Sequence, residues 1–143
     1  MNHPTVYLHR EVLYYSRERR PLELLTFTGR NGISKYREDT MEGLFPEHSS
    51  TDEKNKRPFK FDKPTIFISA RVHPGETPAS FVLDGIWSIL TNEKSEQGQV
   101  LREKFVFKVV PILNPDGVYR GYFRLDTLGQ NLNRYYTNPT PDK

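Results

Sequence analysis

Two apolar runs separated by an amphipathic stretch limit what this chain can fold into more than any other feature of it. Thr65-Ile66-Phe67-Ile68-Ser69-Ala70 opens a run over 65–72 that reads as a buried strand. Across 79–90, Val82, Leu83, Ile86, Trp87 and Leu90 recur at helical spacing, a stripe that predicts core packing rather than a ligand box. Polar residues 91–97 interrupt it, Val100-Leu101 falls on a short second helix, and 105–113 reads as another strand. Strand, helix and strand within about fifty residues predict a βαβ unit in an α/β sheet. In such sheets ligands bind beyond the carboxyl ends of the strands. The residues just after 72 and just after 113 are therefore the ones to read for chemistry.

The first half is organised differently. Val6 to Tyr15 and the run 22–28 are rich in β-branched and aromatic side chains and read as strands, with a turn at Gly29-Arg30-Asn31-Gly32. From 34 to 64 charges, prolines and serines predict a long exposed loop. Its basic stretch, 54–60, interleaves Phe59 and Phe61, as a nucleic-acid site would. Asp52, Glu53 and Asp62 flank it, however, so a solvated loop is the reading favoured and no nucleic-acid partner is expected. A net charge of +3 from 21 basic and 18 acidic residues is too small to imply such a partner. With no cysteine, disulfides and thiolate metal sites are excluded. The Met1-Asn2-His3-Pro4-Thr5 start lacks a signal-peptide pattern, and no apolar run nears the roughly 20 residues that span a bilayer. The expectation is a soluble, cytoplasmic protein with no membrane partner. At 143 residues the chain has the length of one domain with a real core.

His73-Pro74-Gly75-Glu76 follows the first strand. Imidazole nitrogen and carboxylate oxygen are ordinary zinc ligands, and a catalytic zinc needs three protein ligands with a fourth position open. The same residues also suit a plain helix start, with Pro78 in the first turn and Glu76 favourable to the dipole. After the second strand, Asn114-Pro115-Asp116-Gly117 reads as a β-turn with a structural role. Further on come Arg120, Arg124 and Asn131-Leu132-Asn133-Arg134. Asn beside Arg suits a carboxylate, and a second arginine can stabilise an oxyanion near a metal. Taken singly, each of these arginines is as easily a solvated surface residue.

The order of these pieces resembles the M14 family of zinc metallocarboxypeptidases. The wording of 73–80, of Asn114-Pro115-Asp116-Gly117-Val118 and of 131–136 is similar to its cytosolic carboxypeptidase subfamily. The upstream blocks 24–28, 42–46 and 57–61 extend the resemblance over nearly the whole chain. It implies an α/β fold: the first part of a metallocarboxypeptidase-type mixed sheet with flanking helices, preceded by a β-rich N-terminal segment, an incomplete domain. Residues 1–61 would be the end of a β-rich N-terminal domain plus the polar loop, and 62–143 the N-terminal part of the catalytic domain. It also implies Zn2+ as cofactor, with His73 and Glu76 as metal ligands. Arg124 would polarise the scissile carbonyl, and Asn133 and Arg134 would grip the substrate's terminal carboxylate. The implied activity is removal of glutamate from polyglutamylated proteins, chiefly tubulin tails, including the branch-point glutamate, with nuclear or microtubule association carried by resemblance alone.

The sequence departs from the family at two positions. His3, His9 and His48 all precede the motif, and no glutamate follows Glu103, so neither the third zinc ligand nor the general base has a match. The expectation is a partial chain, inactive alone, whose 105–113 strand lacks later neighbours and exposes an apolar edge. A different class of reading is a non-catalytic binder of acidic, glutamate-rich tails that uses Arg124, Asn133 and Arg134.

Overall fold

In the computed structural model, which describes residues 4–48 and 56–137, the two apolar runs lie side by side as parallel strands. The elements in chain order are β1 (Val6–Tyr15), β2 (Pro21–Gly29), β3 (Ile33–Arg37), β4 (Phe59–Phe61), β5 (Thr65–Ser69), α1 (Pro78–Thr91), α2 (Glu96–Lys104), β6 (Val106–Val110) and α3 (Pro115–Tyr119). A 3-10 turn follows at Leu132–Arg134. One sheet has the order β1-β2-β6-β5, with β5 parallel to β6 and the other pairings antiparallel. Both central runs are shorter than their apolar lengths predict. Arg71, at φ 58°, turns the chain soon after β5, and Pro111, which has no N–H to give the ladder, follows β6.

The expected free edge on β6 is not there. β2 pairs with it on the side away from β5, in the register Leu25↔Val109, Thr26↔Lys108 and Phe27↔Phe107. Among the described residues the open edges belong to β1 and β5. The sheet is continuous across residue 61, because β2 lies before that position and β6 after it.

The helices cover one face of this sheet. Phe27, Leu90, Phe107 and Val109 form its buried centre, with Ile66, Ile68, Leu83, Ile86 and Trp87 packed around them. Each such side chain contributes about 1.5–3 kcal/mol when fully buried. The buried stripe of α1 runs i, i+3, i+4, i+7 from Leu83. Val82 lies outside that series and is 64% exposed, against the expectation that it packs in the core. Helix α2 starts at a capping serine, Ser95, whose hydroxyl accepts from Gly98 N at 3.0 Å, and carries Arg102 and Lys104 in its last turn. Beside that end, the Lys63 ammonium lies 2.8–3.0 Å from four oxygens, Thr28 Oγ1, Gly29 O, Asn31 Oδ1 and Arg102 O, among which its three N–H donors are shared.

The stretch 34–64 is not one long loop. β3 and β4 pair within it and lean on the second face of the sheet, where Tyr7 meets the Phe59 and Phe61 rings at 6.3 and 5.1 Å. Arg57, read as part of a solvated basic run, is 5% exposed. It pairs with Glu11 and, at 3.0 Å, with Glu38, and lies over the Phe45 ring at 3.3 Å. Lys108 closes the cluster by donating to Glu38 and Thr26. Lys54 and the rest of 49–55 lie outside the described residues. Burial lifts the Glu11 carboxyl above its ordinary range, with Arg57 opposing. Removing the guanidinium strands Glu11 in poor solvent and leaves Glu38 with Lys108 as its cationic partner. Arg57→Ala is expected to cost about 3–5 kcal/mol in urea unfolding, and a loss under about 1 kcal/mol would show the pair is solvent-screened.

Candidate metal and carboxylate site

Parallel β5 and β6 deliver their exits to one edge, where two backbone bonds join them: Leu113 N to Ala70 O at 2.9 Å and Asn114 N to Arg71 O at 3.1 Å. The 71–77 loop then brings His73 and Glu76 together. His73 is 4% exposed, and its Nδ1 lies 2.8 Å from Glu76 Oε1. Its other nitrogen, Nε2, lies 2.9 Å from Asn131 Oδ1. An amide oxygen only accepts, so Nε2 carries the proton and, in the neutral ring, Nδ1 turns a lone pair toward a carboxylate. Two acceptors at that distance need a proton or a cation between them. This is the donor chemistry of a zinc site, with Asn131 fixing the tautomer that a metal-ligating histidine requires. His73 and Glu76 thus fit two places of a set that needs three. Among the described residues no group of three or more His, Asp or Glu side chains is placed to hold a metal ion.

Gly75 sets how closely the next segment approaches. Its N–H donates to Phe123 O at 2.8 Å, and a Cβ there would lie 2.6 Å from that oxygen and 2.9 Å from the Phe123 ring. No side chain fits at 75 without moving the backbone that carries Arg124. Arg124 follows directly, exposed, on an open cavity of about 560 Å³ that Tyr122, Phe123 and Asp126 also line. The 3-10 turn presents Asn133 and Arg134 to solvent, and Asn131, which accepts from Asn133 N at 3.2 Å as it touches His73, ties that turn to the metal pair. The sequence-predicted residues are therefore linked through neighbours: Arg124 through Phe123, Asn133 and Arg134 through Asn131. The motif alone assigns Asn131 no role. The available signal was an Asn opening a turn next to a candidate ligand loop.

Asn114-Pro115-Asp116-Gly117 has the structural role expected, but as the first turn of α3 rather than as a β-turn. Asn114 Oδ1 caps it by accepting from Gly117 N at 2.9 Å, and Pro115 sits where no N–H is needed. Gly117 leaves room for the Pro74 ring, which a Cβ there would strike. Asp116, 4% exposed, reaches back to the turn between β1 and β2: Ser16 Oγ at 2.6 Å, Arg20 Nη1 at 2.8 Å and Glu18 N at 3.0 Å. Arg20 in turn stacks on the Tyr119 ring at 3.8 Å.

Residues 7–139 match the zinc carboxypeptidase family, Peptidase_M14, and the chain belongs to it. Within that family it is 46% identical over 146 residues to human cytosolic carboxypeptidase-like protein 5, covering 96% of this chain and 16% of that protein. It is 41% identical over 135 residues to mouse cytosolic carboxypeptidase 6, covering 94% and 20%. A metallo-carboxypeptidase from Burkholderia cenocepacia superposes with a TM-score of 0.67 at 25% identity, over 93% of this chain and 29% of that one. The chain thus spans under a third of the length of the relatives it matches, in keeping with the first part of a metallocarboxypeptidase-type mixed sheet.

Two outcomes test this geometry. Gly75→Ala should push the Phe123 backbone away, costing about 1–3 kcal/mol in thermal unfolding and exposing the residue 75 amide to faster hydrogen exchange. Unchanged exchange would place the Phe123 contact elsewhere. Burial raises the Asp116 carboxyl, but bonds from Ser16, Arg20 and the Glu18 amide outweigh it and hold it below its ordinary value of 3.8. Its stabilisation is then complete above that value and lost as pH falls through the lower folded one. The melting temperature of Asp116→Asn should accordingly vary less with pH below about pH 4 than that of the native chain. Parallel acid limbs would dismiss the clamp.

Proposed function

We propose that this chain supplies part of the metal site and the carboxylate-binding side of a zinc carboxypeptidase that removes glutamate from polyglutamylated proteins such as tubulin, branch-point glutamate included. The observation that carries the reading is His73 held between Glu76 and Asn131, an acceptor pair left facing a position that a cation satisfies. Zinc, held in part by His73 and Glu76, would supply Lewis acidity and a bound water of lowered pKa. Exposed Arg124, on the cavity beside the His73 loop, polarises the scissile carbonyl and holds its developing negative charge. Asn133 and Arg134 take the terminal carboxylate of the substrate, Arg134 through two parallel N–H donors. The substrate's reactive end is thereby oriented along the short arc from residue 134 to residue 73. A cytoplasmic site of action, where such tails are exposed, follows from the same reading, with 1–61 as the end of a β-rich N-terminal domain plus a polar loop and 62–143 as the N-terminal part of the catalytic domain.

With two donors assembled among the described residues where three are needed, the chain by itself is expected to hold zinc weakly and to release no glutamate. A binder of acidic tails would share the carboxylate grip, so grip and cleavage are measured apart. Calorimetry with a glutamate-chain peptide should show binding that weakens about tenfold or more in Arg134→Ala and on amidating the peptide's C-terminus. Equal affinity for the amidated peptide would remove the carboxylate role of Arg134. Zinc content and glutamate release are then followed on this chain beside the full-length human relative. Absence of cleavage by this chain is expected on either reading, so the binder is supported where the peptide binds equally well with and without zinc.

A further inference from the structure

Two residues before the acceptor pair opens, one residue adopts a backbone conformation unusual for its type. Arg71 sits in the left-handed region at φ 58°, a costly conformation for a residue with a Cβ and one that glycine adopts freely. Strain of this kind persists where surrounding contacts over-determine it, and it clusters at functional sites. Here the contacts are explicit. The Arg71 carbonyl accepts from Asn114 N at 3.1 Å, which locks the exit of β5 to the exit of β6. Its guanidinium turns back over the loop: Nε and Nη2 both donate to Pro74 O, at 3.1 and 2.5 Å, and Nη1 donates to Ser80 Oγ at 2.9 Å.

This fork spans the metal loop from outside. Pro74 is the residue between His73 and Gly75, and Ser80 lies in the first turn of α1, just past Glu76. Holding both fixes the arc on which the two ligands stand. Pro74 is also the residue seated against Gly117, so its carbonyl is gripped on one side while its ring is packed on the other. We propose that Arg71 is a positioning residue for the metal pair: its guanidinium sets the spacing of His73 Nδ1 and Glu76 Oε1 without touching metal or substrate. The inference rests on the metal reading of that pair.

Charge gives the proposal a sign that a merely electrostatic role cannot share. Arg71 is a cation near the site of a divalent cation, so on charge alone its removal would tighten zinc binding. Positioning requires the opposite, a loss of the 10- to 100-fold order seen when supporting partners of metal ligands are removed. Arg71→Gly is the decisive variant, because glycine accepts φ 58° and the backbone loses its strain as the fork is lost. Zinc is titrated into the whole 143-residue chain, reading the His73 imidazole resonances by NMR, with amide exchange at Gly75 and Glu76 followed in the same samples.

The result expected for Arg71→Gly is zinc affinity weaker by about tenfold or more, exchange at Gly75 and Glu76 faster by a similar factor, and a melting temperature equal or higher. Ser80→Ala, which removes one prong and no charge, should weaken zinc by a smaller factor, and it carries the test should Arg71→Gly not fold. Zinc affinity unchanged or tighter in either variant overturns the proposal. If the native chain shows no zinc-dependent shift at His73, the metal reading fails instead. The exchange rates then decide: faster exchange without Arg71 keeps its positioning role for the loop, and unchanged exchange ends it.

Discussion

Everything chemical in this chain depends on β6 having one parallel and one antiparallel neighbour. The parallel partner, β5, puts the His73 loop and the Asn114 cap on the same edge of the sheet. The antiparallel partner, β2, enters the sheet at that same edge, so the turn between β1 and β2 lies there as well. Asp116 can therefore clamp a turn about a hundred residues away in sequence. The α3 turn that follows β6 is thus anchored to the N-terminal hairpin.

The basic residues divide along this geometry. Arg20, Arg57, Arg71 and Arg102 spend their donors inside the molecule: on Asp116, on Glu11 and Glu38, on Pro74 and Ser80, and on Leu90 O respectively. Arg124 and Arg134 stand exposed at the end of the chain's path. The two that the sequence nominated for substrate face solvent, as do Arg10, Arg17, Arg19 and Arg120 elsewhere on the surface. A net charge of +3 says nothing of this partition. What matters is which guanidinium groups already have oxygen partners.

The strongly periodic elements were legible before any coordinates: the βαβ unit, α1, and the two ligand-type residues at a strand exit. Their signal is local, a period of 3.6 or a short apolar run. What escaped was set by distant partners. Arg57 looked solvated because its neighbours in sequence are charged, whereas its neighbours in space are Glu11, Glu38 and Phe45. β3 and β4 are short, and β4 is fixed by the Tyr7 ring, not by its own propensity. Val82 differs from Leu83 only by one step of helical phase. β6 gained its second neighbour from β2, a pairing of high sequence separation that no window could reveal. Asn131 and Arg71 make their contacts through a few side-chain hydrogen bonds, which leave no periodic trace at all.

The ammonium of Lys63 has a consequence of its own. Four oxygens from a strand end, a turn and the last turn of a helix converge on it, an arrangement that elsewhere would call for a bound alkali or alkaline-earth ion. Here the ion is tethered by the chain at a fixed effective concentration. Because the cation is covalently part of the chain, a chelator or a change in free potassium or calcium leaves this knot untouched. The chain thus carries, as part of itself, the cation that ties this end of the sheet together.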